Sequence, residues 1–149
     1  MALSLTAQAA PPAVGQPLAL KFTTASGKHV DLAEMKGKVV LIDFWATWCG
    51  PCVKEVPHVV EAYGKYHDKG FEIVGISLDS DKSALSKFIK EHGMAWPQYF
   101  DGKGWENVMA KRFGIHSVPS MWLVDKQGNL VTTNARADLD GQIEKLLGP

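Results

Sequence analysis

Two cysteines, Cys49 and Cys52, are the only ones in the chain, and they sit together in FWATWCGPCVKE (residues 44–55). Three chemistries suit such a pair. As a structural staple it is weak: a disulfide across two intervening residues closes so small a loop that chain entropy gives it only about 2 kcal/mol. As a zinc site it is incomplete, because a tetrahedral shell needs about four ligands. No second cysteine pair exists, and His58 on the following helix does not fill the shell, so no metal is expected. Thiol redox chemistry is the reading that the placement favours. The pair follows an apolar run and opens a helix, where the unsatisfied N–H groups and the helix dipole stabilise a thiolate on Cys49. Pro51 suits the first helical turn. Cys52 stands one turn further in, within reach of Cys49 and shielded from solvent. That asymmetry makes Cys49 the nucleophile and Cys52 the resolving thiol.

The elements that must position this pair read as follows. Val39–Trp45 is nearly continuous in apolar residues, as expected of a strand buried on both faces. A helix is predicted from about Gly50 to Asp68, with Val53, Val56, Val59, Val60 and Tyr63 at helical spacing and a kink expected at Pro57. Phe71–Leu78 is a second buried strand, which completes a right-handed strand–helix–strand unit. Asp81 caps a helix with Leu85, Phe88 and Ile89 on its core face. A short strand near Pro97–Phe100 and a helix carrying Trp105, Val108, Met109 and Phe113 come next. Met121–Val124 and Leu130–Thr133 form an antiparallel hairpin across Asp125–Asn129, and Asp138 caps a last helix bearing Leu139, Ile143, Leu146 and Leu147. Upstream, strands at Leu18–Thr24 and His29–Asp31 turn at Ser26-Gly27. The layout is α/β, a central mixed β-sheet flanked by helices on both faces.

The totals bound the class. A chain of 149 residues fits one domain with a core of its own. Sixteen basic and 16 acidic residues balance, which gives no electrostatic reason to expect nucleic acid or an anionic membrane as partner. No apolar run approaches the ~20 residues of a membrane span. Residues 1–14 read as a flexible lead-in and 15–149 as the domain. Ala7-Gln8-Ala9 has the small-x-small pattern of a signal-peptidase site, yet no Lys or Arg precedes Lys21. A trimmed export signal, an interdomain linker and an expression artefact all fit the lead-in.

FWATWCGPC resembles the active-site signature of thioredoxins, and the likeness runs from about Gly15 to the end. The longer stretch GKVVLIDFWATWCGPCVKEVP is most similar to the extracytoplasmic TlpA/ResA-type thioredoxins. The resemblance implies a thioredoxin-like fold with an insert between the active-site helix unit and the cis-proline strand, for which residues 79–118 leave room. It implies a thiol-disulfide oxidoreductase, and the Gly50-Pro51 dipeptide points to a reductant. In HSVPSMWLVD, Pro119 matches the family's cis-proline and Val118 the residue whose backbone meets an incoming peptide. Trp48 matches the aromatic beside the cysteines, so Trp48, Gly50, Pro51, Val118 and Pro119 are the expected substrate-binding residues; Trp45 packs inside.

Two carboxylates join the cysteines as catalytic candidates. Asp43 lies within the buried run, where desolvation raises its pKa. It matches the aspartate implicated in proton transfer with the resolving cysteine. Glu55, three residues past Cys52 on the same helical face, matches a glutamate of ResA-like proteins. The lysine that accompanies the aspartate in thioredoxin is replaced by Gly75. The implied partners are a disulfide-containing client protein and an upstream reductant, with no cofactor, acting on a monomer outside the cytoplasm. Two rival functions are a thiol peroxidase and a redox-switched binding module. The peroxidase motif wants threonine three residues before the reactive cysteine, where this chain has Ala46.

Overall fold

The computed structural model describes residues 12–149. The lead-in therefore lies outside the described residues, except for Pro12–Val14. The strands are β1 (Lys21–Thr23), β2 (His29–Asp31), β3 (Val39–Trp45), β4 (Phe71–Ser77), β5 (Gln98–Phe100), β6 (Ser120–Val124) and β7 (Leu130–Thr132). The helices are α1 (Gly50–Tyr66), α2 (Lys82–His92), α3 (Val108–Arg112) and α4 (Leu139–Leu147).

The run at 39–45, apolar on both faces but for Asp43, takes the centre of a five-stranded sheet ordered β5-β4-β3-β6-β7, and all seven of its residues are buried. β4 lies parallel to β3 and β5 parallel to β4, whereas β6 runs antiparallel to β3 and β7 to β6. Successive side chains of β3 point to opposite faces. Phe44 meets Phe113, at the end of α3, and Trp122 of β6 edge to face, with ring centroids 6.0 and 5.3 Å away. Trp45, on the opposite face with Asp43, packs on Phe88 of α2 at 5.5 Å. β1 and β2 form a separate hairpin.

Capping residues fix where the helices start. Asp81 accepts from the Ala84 N–H (3.2 Å) and Asp138 from the Gly141 N–H (3.3 Å). α1 runs through the solvent-facing Pro57 as a single helix and stops at Tyr66, two residues earlier than expected. A 3-10 turn over His67–Lys69 follows, ended by Gly70 at φ 98°, a conformation that favours glycine.

Two expectations need correction. Leu18 and Leu20 are buried but do not extend β1. The Leu18 N–H instead donates to the Gly128 carbonyl (3.0 Å), and Pro17 bridges Asn129, so this segment runs beside the β6–β7 turn. Trp105 and Val108 do not belong to a core-facing helical stripe; both are about half exposed. The reason is Asn107, fully buried, whose Nδ2 donates to the Ser77 carbonyl and whose Oδ1 accepts from Ala110 N–H (both 3.0 Å). Those bonds start α3 at Val108 and leave Trp105 in a separate 3-10 turn over Gly104–Glu106.

Candidate active site

The cysteine pair lies at the junction that the sequence implies. β3 ends at Trp45, α1 begins at Gly50, and Cys49 is the cap residue between them, with extended backbone (φ −92°, ψ 108°). Its Sγ accepts the Cys52 N–H at 3.2 Å, which places the sulfur on the unsatisfied donors of a 17-residue helix. Cys49 and Cys52 are joined as a disulfide, with Cα atoms 5.2 Å apart. Across the site, the Val118–Pro119 peptide bond is cis. The Val118 carbonyl oxygen stands 3.6 Å from Cys49 Sγ. Gly50 and Pro51 are exposed, whereas Val118 and Pro119 are half-buried.

The loop before the cysteines is pinned by Asp79, a buried residue that the sequence reading passed over. Its Oδ1 accepts from the Thr47 hydroxyl (2.6 Å) and backbone N–H (3.0 Å), and its Oδ2 from the Ser77 hydroxyl (2.7 Å). These charge-assisted bonds tie the turn after β3 to the end of β4. Trp48, outside this clamp, is 52% exposed, and its indole N–H donates to the Leu78 carbonyl at 3.2 Å. Its ring centroid lies 5.8 Å from that of Trp105. The residue displaced from the expected helix thus forms an aromatic surface with the residue next to the nucleophile. Trp45 is buried, as expected.

Asp43 is buried on β3, and desolvation, helped by the negative charge of Glu55, pushes its pKa from the ordinary 3.8 up to about 7. In the sheet Asp43 is paired with Met121 on one side and Gly75 on the other, so the strands align as the missing lysine implied. Glu55 is half-buried on α1 rather than free in solvent. Its Oε1 accepts from Arg136 Nε at 2.9 Å, and His58 Nδ1 stands 3.7 Å from Oε2. Arg136 was also missed. It is 81 residues away from Glu55 in the chain, and no local pattern marks the pair. Among the described residues one group has metal-ligand geometry, His29, Asp31 and Glu34, on the separate hairpin and the turn after it. Asp31 there is already the acceptor for the Ala33 N–H (2.9 Å).

Comparison with known proteins agrees with this geometry. The Redoxin family profile matches residues 6–147. The thiol-disulfide oxidoreductase ResA of Bacillus thuringiensis subsp. konkukian is 36% identical over 125 residues, covering 84% of this chain and 70% of that protein. The ResA of Bacillus anthracis is 34% identical over 128 residues, covering 83% and 72%. Among solved structures, the thioredoxin domain of a thiol-disulfide oxidoreductase from Bacteroides vulgatus superposes with a TM-score of 0.79 at 33% identity, covering 91% of this chain and 99% of that one. A thiol:disulfide interchange protein from a Bacteroides species gives 0.74 at 33%, covering 93% and 90%. The chain belongs to the Redoxin family and is a TlpA/ResA-like thiol-disulfide oxidoreductase of the thioredoxin superfamily.

Proposed function

We propose that this oxidoreductase works as a reductant of disulfides in client proteins, with Cys49 as nucleophile and Cys52 as resolving thiol. The observation that carries the reading is the position of Cys49 Sγ, held on the N-terminus of α1 and facing the Val118 carbonyl. In the reduced protein the helix terminus favours the Cys49 thiolate. That thiolate attacks one sulfur of the client disulfide. A Cys49–client bond forms, the client S–S bond breaks, and the leaving client sulfur takes a proton. Cys52 then gives its proton to the Asp43 carboxylate and attacks Cys49 Sγ. The mixed disulfide breaks, the second client thiol leaves, and two electrons have passed to the client. A dithiol donor restores Cys49 and Cys52.

Asp43 suits the proton step because an acid near 7 exchanges its proton freely around neutral pH. Glu55, fixed by Arg136, tunes Asp43 through its charge. The client strand lies along the backbone of Val118 and Pro119, and its apolar side chains rest on Trp48 and Trp105 beside the exposed Gly50-Pro51 turn. The same reading places the protein outside the cytoplasm as a monomer. No helix among the described residues is long and apolar enough to cross a membrane.

Direction rests on the reduction potential. Thioredoxin and a strong oxidant such as DsbA differ by about 150 mV, or roughly 7 kcal/mol for two electrons. Titration of the Cys49–Cys52 pair against dithiothreitol and glutathione buffers tests the assignment. A value at the thioredoxin end, about −270 mV, supports the reductant. A value near about −120 mV overturns it.

A further inference from the structure

Gln98 on β5 carries a buried amide donor outside the cysteine site. Its Oε1 accepts from the Trp45 indole N–H at 2.9 Å, which fixes the orientation of the amide. Its Nε2 is consequently the free end, and it is buried with no hydrogen-bond partner. A buried amide donor without a partner costs about 1–3 kcal/mol, so its persistence calls for an acceptor in some working state of the protein.

The sheet register names that acceptor. Asp43, Gly75 and Gln98 are consecutive partners across β3, β4 and β5, so all three belong to one face. Gly75 has no side chain, and the Gln98 amide folds into the space that a Cβ there would fill. The amide therefore lies over the middle strand, whose backbone runs one strand spacing of about 4.8 Å from that of β3. Trp45, two residues beyond Asp43 on the same face, holds the far side of the amide. A carboxyl group on β3 and an unpartnered N–H₂ over β4 are thus neighbours on one face of the sheet, with only a glycine between them.

We propose that Gln98 is a positioning residue for the proton chemistry of Asp43: its amide N–H₂ donates, directly or through one water, to the carboxylate form of Asp43. The donor has little to offer the protonated acid and much to offer the anion, so it keeps the deprotonated state within reach of neutral pH. Burial and the Glu55 charge by themselves put the acid at about 7, and the donor works against both. The other groups around Asp43 differ in kind. Glu55 acts from α1 through its charge, His58 and Arg136 reach Glu55 rather than Asp43, and β6 offers Met121 as the paired neighbour. Gly75 is what makes room: any side chain at this position evicts the amide.

This inference rests on Asp43 as the proton handler of Cys52, but its test does not. Aspartate-selective carbon-13 labelling of the oxidised protein gives the Asp43 carboxyl titration while both cysteines are silent, with Asp43→Asn identifying the resonance. Two variants are compared with the wild type. Gln98→Met keeps the bulk and removes both hydrogen bonds. Gly75→Ala leaves Gln98 in the chain but displaces its amide. In each, the Asp43 midpoint should rise by about one pH unit or more. A packing role alone predicts that Gln98→Met, which keeps the bulk, titrates like the wild type. An unchanged or lowered midpoint in Gln98→Met and Gly75→Ala overturns the proposal. A raised midpoint with an unchanged pH profile for the Cys52 step upholds it and removes Asp43 from that step.

Discussion

Replacing Asp43 by asparagine should stabilise the protein, and only at high pH. In the folded chain Asp43 holds its proton up to about pH 7, whereas the unfolded chain releases it near 3.8. Between those values the native state binds more protons than the unfolded state, so wild-type stability falls as pH rises through this window. The difference is about 3 pH units, or about 4 kcal/mol at 1.36 kcal/mol per unit, reached fully above pH 8. The asparagine side chain has no proton to lose and resembles the neutral acid in shape. Urea unfolding of the oxidised proteins at pH 4 and pH 9 reads the effect. The two should be nearly equal at the lower pH, and the variant more stable by up to about 4 kcal/mol at the higher, or about 10 °C in Tm. Against a typical stability of about 5–15 kcal/mol this is a large gain. A stability difference that does not change with pH, or a variant less stable at pH 9, refutes the assignment of a buried, raised acid. The same variant should lose resolution rate if Asp43 accepts the Cys52 proton, as a trade of activity for stability.

Glu55→Gln removes the lesser of the two causes that raise Asp43, so the midpoint of the pH–rate profile should fall while staying well above 3.8. Arg136→Gln uncovers the Glu55 charge and should move that midpoint up, each shift being about one pH unit or less. Asp79→Ala strands the Thr47 N–H, the Thr47 hydroxyl and the Ser77 hydroxyl, at a cost of about 2–4 kcal/mol in urea unfolding. Trp48→Ala and Trp105→Ala should raise KM for a protein substrate about tenfold, by loss of apolar contact, and leave the rate with a small disulfide within about twofold.

Local signals in the sequence carried far. The strand over Val39–Trp45, the caps Asp81 and Asp138, and the helix opening at the cysteines each depend on residues within a few positions of one another. The burial of Asp43 was legible for the same reason, since its flanking residues are all apolar. Trp105 misled because apolar spacing suggests a helix, whereas a buried Asn107 bonded to Ser77, 30 residues away, decides where α3 begins. Asp79, Arg136 and Gln98 escaped on similar grounds. Each acts through a partner at long range: Thr47 at 32 residues, Glu55 at 81 and Trp45 at 53. Polar residues with no local pattern gain meaning only once the sheet has set the register.

The central claim is that Cys49 attacks and Cys52 resolves. Reduced Cys52→Ala and Cys49→Ala proteins, each mixed with a disulfide-bonded test protein such as insulin, separate the two roles. Removing the resolving thiol should trap one mixed disulfide per molecule through Cys49, releasable by dithiothreitol, while Cys49→Ala traps essentially none. Equal trapping by the two variants, or trapping through Cys52 alone, would contradict the account.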